Sequence, residues 1–198
     1  QYDTQMEVFW ATGACMFVRS STFHDMGGFD EDYFAHMEEI DLCWRMQRMG
    51  YTVYVQPRSQ VFHIGGGTLA EGSNRKYFLN FRNNLFLLSK NLASPFWIFT
   101  IIWRMILDGV SAFKFLIGGQ ASLFITVIKA HFAFWGSFGS VFSKRKKVQK
   151  LGSKQVSLYP KSIVWQYFAQ KKKVWFKLHL FGSMGSTIRY VFRKQNRI

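Results

Sequence analysis

Four consecutive residues, Glu38-Glu39-Ile40-Asp41, are the part of this sequence best suited to acid-base chemistry. A helix places Glu38 and Asp41 on one face because they are three residues apart, whereas Glu39 is rotated by roughly 100° and can point into a cleft. One carboxylate can then be structural and another chemical. Acidic residues also complement the dipole at the start of any helix, and that simpler interpretation requires no function.

The residues after this cluster predict the helix that carries it. Leu42, Met46 and Met49 follow the i, i+4, i+7 spacing of one helix face, and a glycine supplies the stop. Asp41 and Arg45 are four residues apart, so we expect them to form an ion pair with a structural role.

The surrounding sequence predicts strands on both sides of that helix. Residues 8–19 are apolar with few breaks and predict a buried strand that leads into a turn, and residues 20–26 predict a short helix stopped by two glycines. Residues 51–55 alternate as a strand does, and residues 61–63 predict a second short strand. Helix between strands indicates an α/β layer.

Six segments within residues 12–88 occur in a fixed order: TGACMFVRSSTF, GGFDE, EEIDLCWR, GYTVYVQP, VFHIGGG and RNNLFLL. Together they resemble the C-terminal half of the catalytic domain of family 2 inverting glycosyltransferases, particularly the rhamnosyltransferase-like branch. The resemblance covers about residues 8–90 and extends only loosely beyond them. It implies an α/β fold of the GT-A (Rossmann-like) type, followed here by amphipathic and hydrophobic helices.

The resemblance also implies a reaction, the transfer of a sugar with inversion from a nucleotide-sugar donor to a glycan or lipid-linked acceptor. Such a transfer needs a base for the proton of the acceptor hydroxyl and a cation for the departing diphosphate. The second acid of the family motif is the base, and it corresponds to Glu39, with Glu38 as the second choice. The usual residue there is aspartate, so glutamate reaches about one methylene further.

Other site residues implied by the resemblance lie in two glycine-containing segments. His63 could complete the coordination of Mg²⁺ or Mn²⁺, and Gly65 and Gly66 let the backbone approach a phosphate; alternatively, His63 is simply hydrogen-bonded. Gly13 and Ala14 resemble the turn that lines a sugar pocket, and the alternative for them is a tight turn in a core strand.

Asp30 lies in the GGFDE segment, which the resemblance places beside the substrate. Asp30-Glu31-Asp32 fits the family's metal-binding Asp-x-Asp pattern literally, but its place just before the acidic cluster favours a substrate-side loop. In the family, the Asp-x-Asp motif ends a nucleotide-binding βαβ half, which nothing here supplies. We therefore expect a fragment that is cut at its N-terminus, has an incomplete metal site and is inactive alone.

Charge is distributed very unequally along the chain. Up to residue 70 there are 4 Lys or Arg against 9 Asp or Glu, and from residue 71 there are 22 against 2, within an overall net charge of +15. This asymmetry indicates regions with different partners. We expect residues 1–91 to be the C-terminal half of the catalytic domain, residues 92–142 to be hydrophobic membrane-associated helices and residues 143–198 to be a basic aromatic tail.

The hydrophobic residues 96–117 predict a helix that lies on a membrane. Its polar side chains share one narrow stripe and are Thr100, Arg104, Asp108, Ser111 and Lys114. A charge at the centre of a spanning helix costs about 2.5–3.5 kcal/mol, so a position in the membrane interface is favoured. Residues 121–142 are interrupted by Lys129 and His131 and favour the same position.

Lysine clusters interleaved with aromatic residues follow this region, which suits anionic lipids at the cytoplasmic face of a membrane. A solvated basic tail is one alternative. A nucleic-acid platform is another, but no recognition motif is present and we expect no nucleic-acid partner. A rival from another functional class is a non-catalytic membrane-binding module. Cys15 and Cys43 lack metal-ligand spacing and are predicted to be buried thiols in a reducing compartment, with a disulfide as the alternative. Residues 75–91 predict an aromatic-rich helix; Arg75 and Arg82 are assigned to its solvated face, and the alternative is contact with phosphate.

Overall fold

The computed structural model describes residues 4–62, 70, 72–152, 156 and 158. Helices carry most of this part of the chain. In chain order the elements are strand β1 (Met6–Val8), a 3-10 turn (Gly13–Cys15), helix α1 (Ser20–Asp25), a second 3-10 turn (Glu31–Tyr33), helix α2 (Glu38–Arg48), strand β2 (Val53–Val55), and helices α3 (Asn74–Asn91), α4 (Trp97–Ile117), α5 (Ala121–Gly136) and α6 (Phe138–Lys150).

The two strands form a small antiparallel sheet that covers one side of α2. Met6 pairs with Val55, and Val8 pairs with Val53. Apolar side chains of the sheet and of α2 share one buried cluster, made of Val8, Met26, Leu42, Cys43, Met46 and Val53. The sheet therefore gives α2 a fixed apolar support on the side away from the long helices.

A larger core lies where α2 meets the four long helices. Its buried members are mostly aromatic or leucine side chains: Tyr33, Trp44, Leu85, Phe86, Leu87, Trp97, Ile101, Phe134 and Val141. Helix α3 supplies the centre of this core, because it packs against α2, α4, α5 and α6. This core contains residues from both sides of position 91. The predicted domain boundary at residue 91 stays a prediction.

Helix α4 turns the centre of its polar stripe, Asp108, toward the protein and its apolar side outward, while Thr100 and Lys114 at the two ends of the stripe are exposed. Asp108 is 1% exposed and forms an ion pair with Arg104 at 2.8 Å. It also lies 3.5 Å from His131 of α5. The opposite side of α4 is exposed and apolar: Phe99, Ile102, Trp103, Ile106, Val110, Phe113 and Ile117. A helix lying in an interface was expected to turn its polar stripe to water, and the pairing of Asp108 with α5 explains the difference.

Among the described residues, no single helix has the length and apolar character needed to cross a membrane. Helices α5 and α6 reach that length and composition only when taken together, and they are bent by 63° at their junction.

The buried carboxylate of Asp41 joins α2 to α3 and to the loop before α2. Asp41 is 0% exposed and accepts hydrogen bonds from Arg45 Nε at 2.8 Å, Asn91 Nδ2 at 2.8 Å and the Tyr33 hydroxyl at 3.2 Å. The ammonium of Lys90 lies 3.0 Å away. The predicted ion pair between Asp41 and Arg45 is confirmed, and it is one part of a larger buried network.

The predicted α/β class is confirmed only in part, because the sheet is small. The strand predicted over residues 8–19 is wrong: the chain turns at Gly13–Cys15, where the Thr12 hydroxyl accepts a hydrogen bond from the Ala14 amide. Residues 61 and 62 are not in a strand either. The helices predicted over residues 20–26 and from Glu38 onward are confirmed, as is the strand within residues 51–55.

Replacement of Asp41 tests how much the buried network contributes to stability. Asp41→Ala leaves the charges of Arg45 and Lys90 buried without their anion, so we expect a loss of about 3–5 kcal/mol in the free energy of unfolding. Denaturant titration measures it. Asp25→Ala removes an exposed carboxylate and should change stability by less than about 0.5 kcal/mol. Equal effects of the two substitutions would contradict the assigned role of Asp41.

Candidate functional site

The first part of the loop that leads into α2 is hydrogen-bonded to that helix. Gly27 and Gly28 have φ angles of 75° and 69°, which a glycine adopts without strain. The guanidinium of Arg45 donates to the carbonyls of Met26 and Gly28, the latter at 2.8 Å. Because Arg45 is itself held by Asp41, the glycine turn and the acidic start of α2 form one unit.

Glu39 has the properties expected of a reactive carboxylate. Its Oε2 atom is buried and has no hydrogen-bond partner among the described residues. Burial raises the pKa of Glu39 above its ordinary value, and the neighbouring charge of Glu38 adds to this, although backbone amides at the start of α2 oppose it. A carboxylate with a raised pKa is a stronger base than an ordinary one, so this group is suited to accepting a proton.

Glu38 and His36 carry two further buried atoms that lack a partner within the described part of the chain, Glu38 Oε2 and His36 Nε2. Burial lowers the pKa of His36, the charge of Lys76 lowers it further, and Glu38 opposes the shift. Three polar side chains in four residues thus have unused hydrogen-bonding capacity. Buried polar groups are normally paired, so this cluster is suited to a polar ligand.

The turn at Gly13 and Ala14, which the resemblance assigns to a sugar pocket, lies beside Glu39. A side-chain carbon added to Gly13 would come within 3.9 Å of the Cβ atom of Glu39. Gly13 also lines a shallow pocket of about 350 Å³ with Phe23 and Phe29. The distance of 3.9 Å to Glu39 is an ordinary van der Waals contact, and the substrate-binding role of both turn residues stays a prediction.

A larger open cleft of about 980 Å³ shares Met16 and Val18 with this pocket. Strand β2, residues 15–19 and residues 56–62 line it, and Phe17 and Phe62 are almost fully exposed. It contains none of the unpartnered acidic atoms, so its size alone does not make it the reactive site.

Asp30 is paired with two lysines from distant helices. Its carboxylate contacts Lys90 of α3 and Lys144 of α6, the latter at 2.6 Å, and Lys144 also reaches Asp32 at 2.6 Å. Burial alone would raise the pKa of Asp30, but the two lysines outweigh it and lower the pKa to about 2. The carboxylates of the Asp30-Glu31-Asp32 segment are thus used in ion pairs, and the substrate-binding role predicted for Asp30 stays a prediction.

The predicted metal and phosphate residues His63, Gly65 and Gly66 lie outside the described residues. Within the described ranges, no group of three His, Cys, Asp or Glu side chains has the geometry to hold a metal ion. Cys15 and Cys43 are both free, and burial raises the pKa of Cys43 to about 11, so its thiol is unreactive at neutral pH.

Comparison with known proteins finds sugar transferases. The N-acetylglucosaminyl-diphospho-decaprenol L-rhamnosyltransferase of Mycobacterium tuberculosis is 40% identical over 60 residues, which is 30% of this chain and 20% of that protein. Rhamnosyltransferase WbbL of Escherichia coli is 37% identical over 69 residues, or 35% of this chain and 24% of that protein. The pre-mycofactocin glycosyltransferase of M. tuberculosis is 35% identical over 71 residues, or 36% of this chain and 15% of that protein.

This chain is therefore related to glycosyltransferases. It spans about a fifth of the length of the first of these relatives. No protein-family model matches the chain, and no solved structure does.

Several residues that build the site were missed or misassigned from the sequence. Arg82 was assigned to solvent, but it is half-buried and donates to the carbonyl of Asp32 at 2.8 Å. Arg75 is exposed, as predicted, and lies over the Phe34 ring at 4.7 Å. Lys144 and Arg145 belong to the basic clusters that were predicted to face anionic lipid, but both are used inside the protein. Lys144 pairs with acids, and the buried Arg145 donates to the Ser89 carbonyl at 2.8 Å and to that of Leu92 at 2.6 Å.

The sequence of α3 does contain a signal for buried polar contacts with the acidic segment. Asn83, Lys90 and Asn91 are spaced by seven and eight residues, so they share one face of a helix that is otherwise apolar there. Polar residues at core positions predict buried partners, and the acidic segment of residues 30–41 is the complementary part of the chain.

The raised pKa of Glu39 predicts a pH-dependent gain in stability for Glu39→Gln. The ionised carboxylate is disfavoured by burial, so the native protein loses stability as pH rises from the unfolded pKa through the raised folded pKa. The glutamine variant lacks this loss and should melt higher at pH 7.5 than the native protein, with the difference disappearing near pH 4. Thermal unfolding at both pH values measures it, with the exposed Glu31→Gln as control. A lower melting temperature for Glu39→Gln at pH 7.5 would contradict the conclusion that burial disfavours the ionised carboxylate.

Proposed function

We propose that this chain forms the base-bearing part of an inverting glycosyltransferase, with Glu39 as the general base. The observation that carries the proposal is the partly buried Glu39, whose Oε2 atom is buried and has no partner among the described residues. Glu39 also lies next to the Gly13 turn, at the start of a helix that is rigidly held. The relationship to rhamnosyltransferases and another glycosyltransferase supports the type of reaction.

The proposed step is a single displacement at the anomeric carbon of a nucleotide-sugar. Glu39 accepts the proton of an acceptor hydroxyl while the oxygen of that hydroxyl forms the new glycosidic bond to the anomeric carbon. The bond from the anomeric carbon to the nucleoside diphosphate breaks on the opposite face. One displacement inverts the configuration. Glu39 is suited to this work because its raised pKa lies nearer to neutral pH than that of an exposed carboxylate.

A divalent metal, Mg²⁺ or Mn²⁺, remains part of the proposal, with the function of neutralising the departing diphosphate. The described carboxylates do not form a metal site, because Asp30 and Asp32 are paired with lysines. Any protein ligands would therefore be His63 and residues other than those described here. The proton transfer proposed above does not depend on them.

We further propose that the donor is a nucleotide-activated sugar and that the acceptor is a glycan, lipid-linked in the simplest case. Nucleotide-activated L-rhamnose is the first donor to test, because two of the related proteins are named as rhamnosyltransferases. One of them is named for a diphospho-decaprenol acceptor, which supports testing a polyprenyl-diphosphate sugar as acceptor.

We place the protein at the cytoplasmic face of a membrane, bound to anionic lipid, with no nucleic-acid partner. The support is the outward apolar stripe of α4, continued on α5 by exposed Ile125, Ile128, Phe132 and Trp135. Patches of this extent mark surfaces that bind a partner or a membrane. Lys146, Lys147 and Lys150 of α6 are exposed and available to lipid phosphates.

Loss of the base should abolish most of the activity of the complete protein that contains these residues. Glu39→Gln keeps the size of the side chain but cannot accept the proton, so we expect kcat to fall by about 10²–10⁴-fold with little change in donor affinity. The assay follows release of the nucleoside diphosphate from nucleotide-activated L-rhamnose, and Glu31→Gln is the control.

Glu38→Gln tests the second choice for the base. If Glu38→Gln loses turnover and Glu39→Gln keeps it, the role moves by one residue. Full turnover in both variants would overturn the carboxylate mechanism and favour a non-catalytic membrane-binding module.

The membrane proposal predicts that charges in the apolar stripe of α4 weaken lipid binding. Val110→Glu combined with Phe113→Glu removes two exposed apolar contacts, each contributing about 1.5–3 kcal/mol if fully buried in lipid, so vesicle binding should fall at least about 10²-fold. Co-sedimentation with phosphatidylcholine–phosphatidylglycerol vesicles measures it.

Thr100→Glu combined with Gln120→Glu is the charge-matched control, since both residues are exposed outside the apolar stripe. Removal of everything after Asn91 is not a clean alternative, because Trp97, Phe134 and Val141 belong to the core. Equal vesicle binding by the two charged variants would exclude α4 as the lipid contact.

A further inference from the structure

Three residues without glycine's freedom have positive φ angles immediately before the acidic cluster. They are Phe34 at 62°, His36 at 68° and Met37 at 78°. Phe34 also has a ψ of −56°, and the Ala35 amide donates to the Tyr33 carbonyl at 2.7 Å, which makes a strained γ-turn. Such conformations cost roughly 1–3 kcal/mol each and persist only where the surroundings impose them.

Two neighbouring residues of α3 hold this strained segment. The side-chain amide of Asn83 is 0% exposed, and its nitrogen donates to the carbonyls of Tyr33 at 2.9 Å, Ala35 at 2.8 Å and His36 at 2.8 Å. Arg82 donates to the Asn83 oxygen at 2.8 Å, which fixes the direction of the amide. Asn83 therefore binds the backbone of the whole turn through one oriented group.

The strained segment also sets where α2 begins. Met37 is the residue before the helix and lies in the left-handed region, and it supplies no side-chain cap. Its carbonyl accepts from the Asp41 amide at 2.9 Å, so the first helical hydrogen bond starts from the strained backbone. The directions of Glu38 and Glu39 thus follow from the conformation that Asn83 imposes.

We propose that Asn83, oriented by Arg82, is a positioning residue that holds the strained residues 34–37 and thereby keeps Glu39 buried and directed at the acceptor. The inference rests on the proposed function for its kinetic consequence, but the placement of Glu39 is testable without activity. An ordinary helix start with a serine or aspartate cap would need no strain. The strained backbone of residues 34–37 therefore determines the direction in which the side chains of the acidic cluster point.

The first experiment is a double-mutant cycle on stability. Asn83→Asp keeps the shape but removes both amide donors, so the loop relaxes and water reaches Glu39. The gain in melting temperature from Glu39→Gln at pH 7.5 should then largely disappear in the Asn83→Asp background. An unchanged gain would overturn the positioning role, whatever the activity of the protein. Asn74→Asp, at an exposed position of the same helix, is the matched control and should leave the gain intact.

The second experiment measures kinetics of the complete protein with nucleotide-activated L-rhamnose. Asn83→Asp should lower kcat by about 10–10²-fold with little change in donor KM, because a displaced base reacts poorly while donor contacts remain. The acid limb of the pH profile should move to lower pH, since hydration removes the burial that raises the pKa of Glu39.

A third experiment relieves the backbone strain at Phe34 and distinguishes an effect of Asn83 on the position of Glu39 from an effect on stability alone. Phe34→Gly relaxes the γ-turn at an exposed position, so adding it to Asn83→Asp should recover melting temperature without recovering kcat. Recovery of both would show that Asn83 acts only through stability and would overturn the proposal. If Glu39→Gln keeps full turnover, the proposed function fails, and the stability cycle alone decides whether Asn83 places Glu39.

Discussion

The buried carboxylate of Asp41 is the interaction on which the arrangement of the other elements depends. It is surrounded by Arg45, Lys90, Asn91 and Tyr33, and Lys90 continues to Asp30, which Lys144 also contacts. Removing one member would leave another charge buried without a partner, which is far costlier than breaking an exposed pair. The network therefore fixes α2, α3, α6 and the loop before α2 relative to one another, and it requires residues that are far apart in the chain.

This network changes the meaning of the charge asymmetry in the sequence. The acidic first part and the basic second part were interpreted as regions with different external partners, yet part of that asymmetry is internal complementarity. Lys90 and Lys144 neutralise the acidic loop, and Arg145 satisfies carbonyls at the end of α3 beneath Trp97. On the described helix α6, Lys146, Lys147 and Lys150 remain exposed and are available to an outside anion.

The sequence predicted those features that depend on local rules. Helix α2, its Asp41–Arg45 pair, the glycine stops and helix α3 follow from spacing and from turn residues, and the structure has them. The contacts of Arg82, Asn83 and Lys90 could not be predicted in the same way, because their partners lie about 50 residues away and depend on how α3 packs. The inward position of Asp108 on α4 was missed for the same reason: a helical wheel identifies a polar stripe at Asp108 but does not say that His131 faces it.

A site with a partly buried Glu39, whose Oε2 atom lacks a partner among the described residues, and with a strained approach to α2 is unfavourable by itself, so its stability must come from elsewhere. The Asp41 network and the aromatic core supply that support, and both include α3. The same helix packs on α5 and α6, and one continuous set of contacts runs from the acidic cluster to the apolar surface assigned to lipid. Under the proposed function, the height of Glu39 above a bilayer is then set by packed helices, so a lipid-linked acceptor would meet the base at a fixed depth.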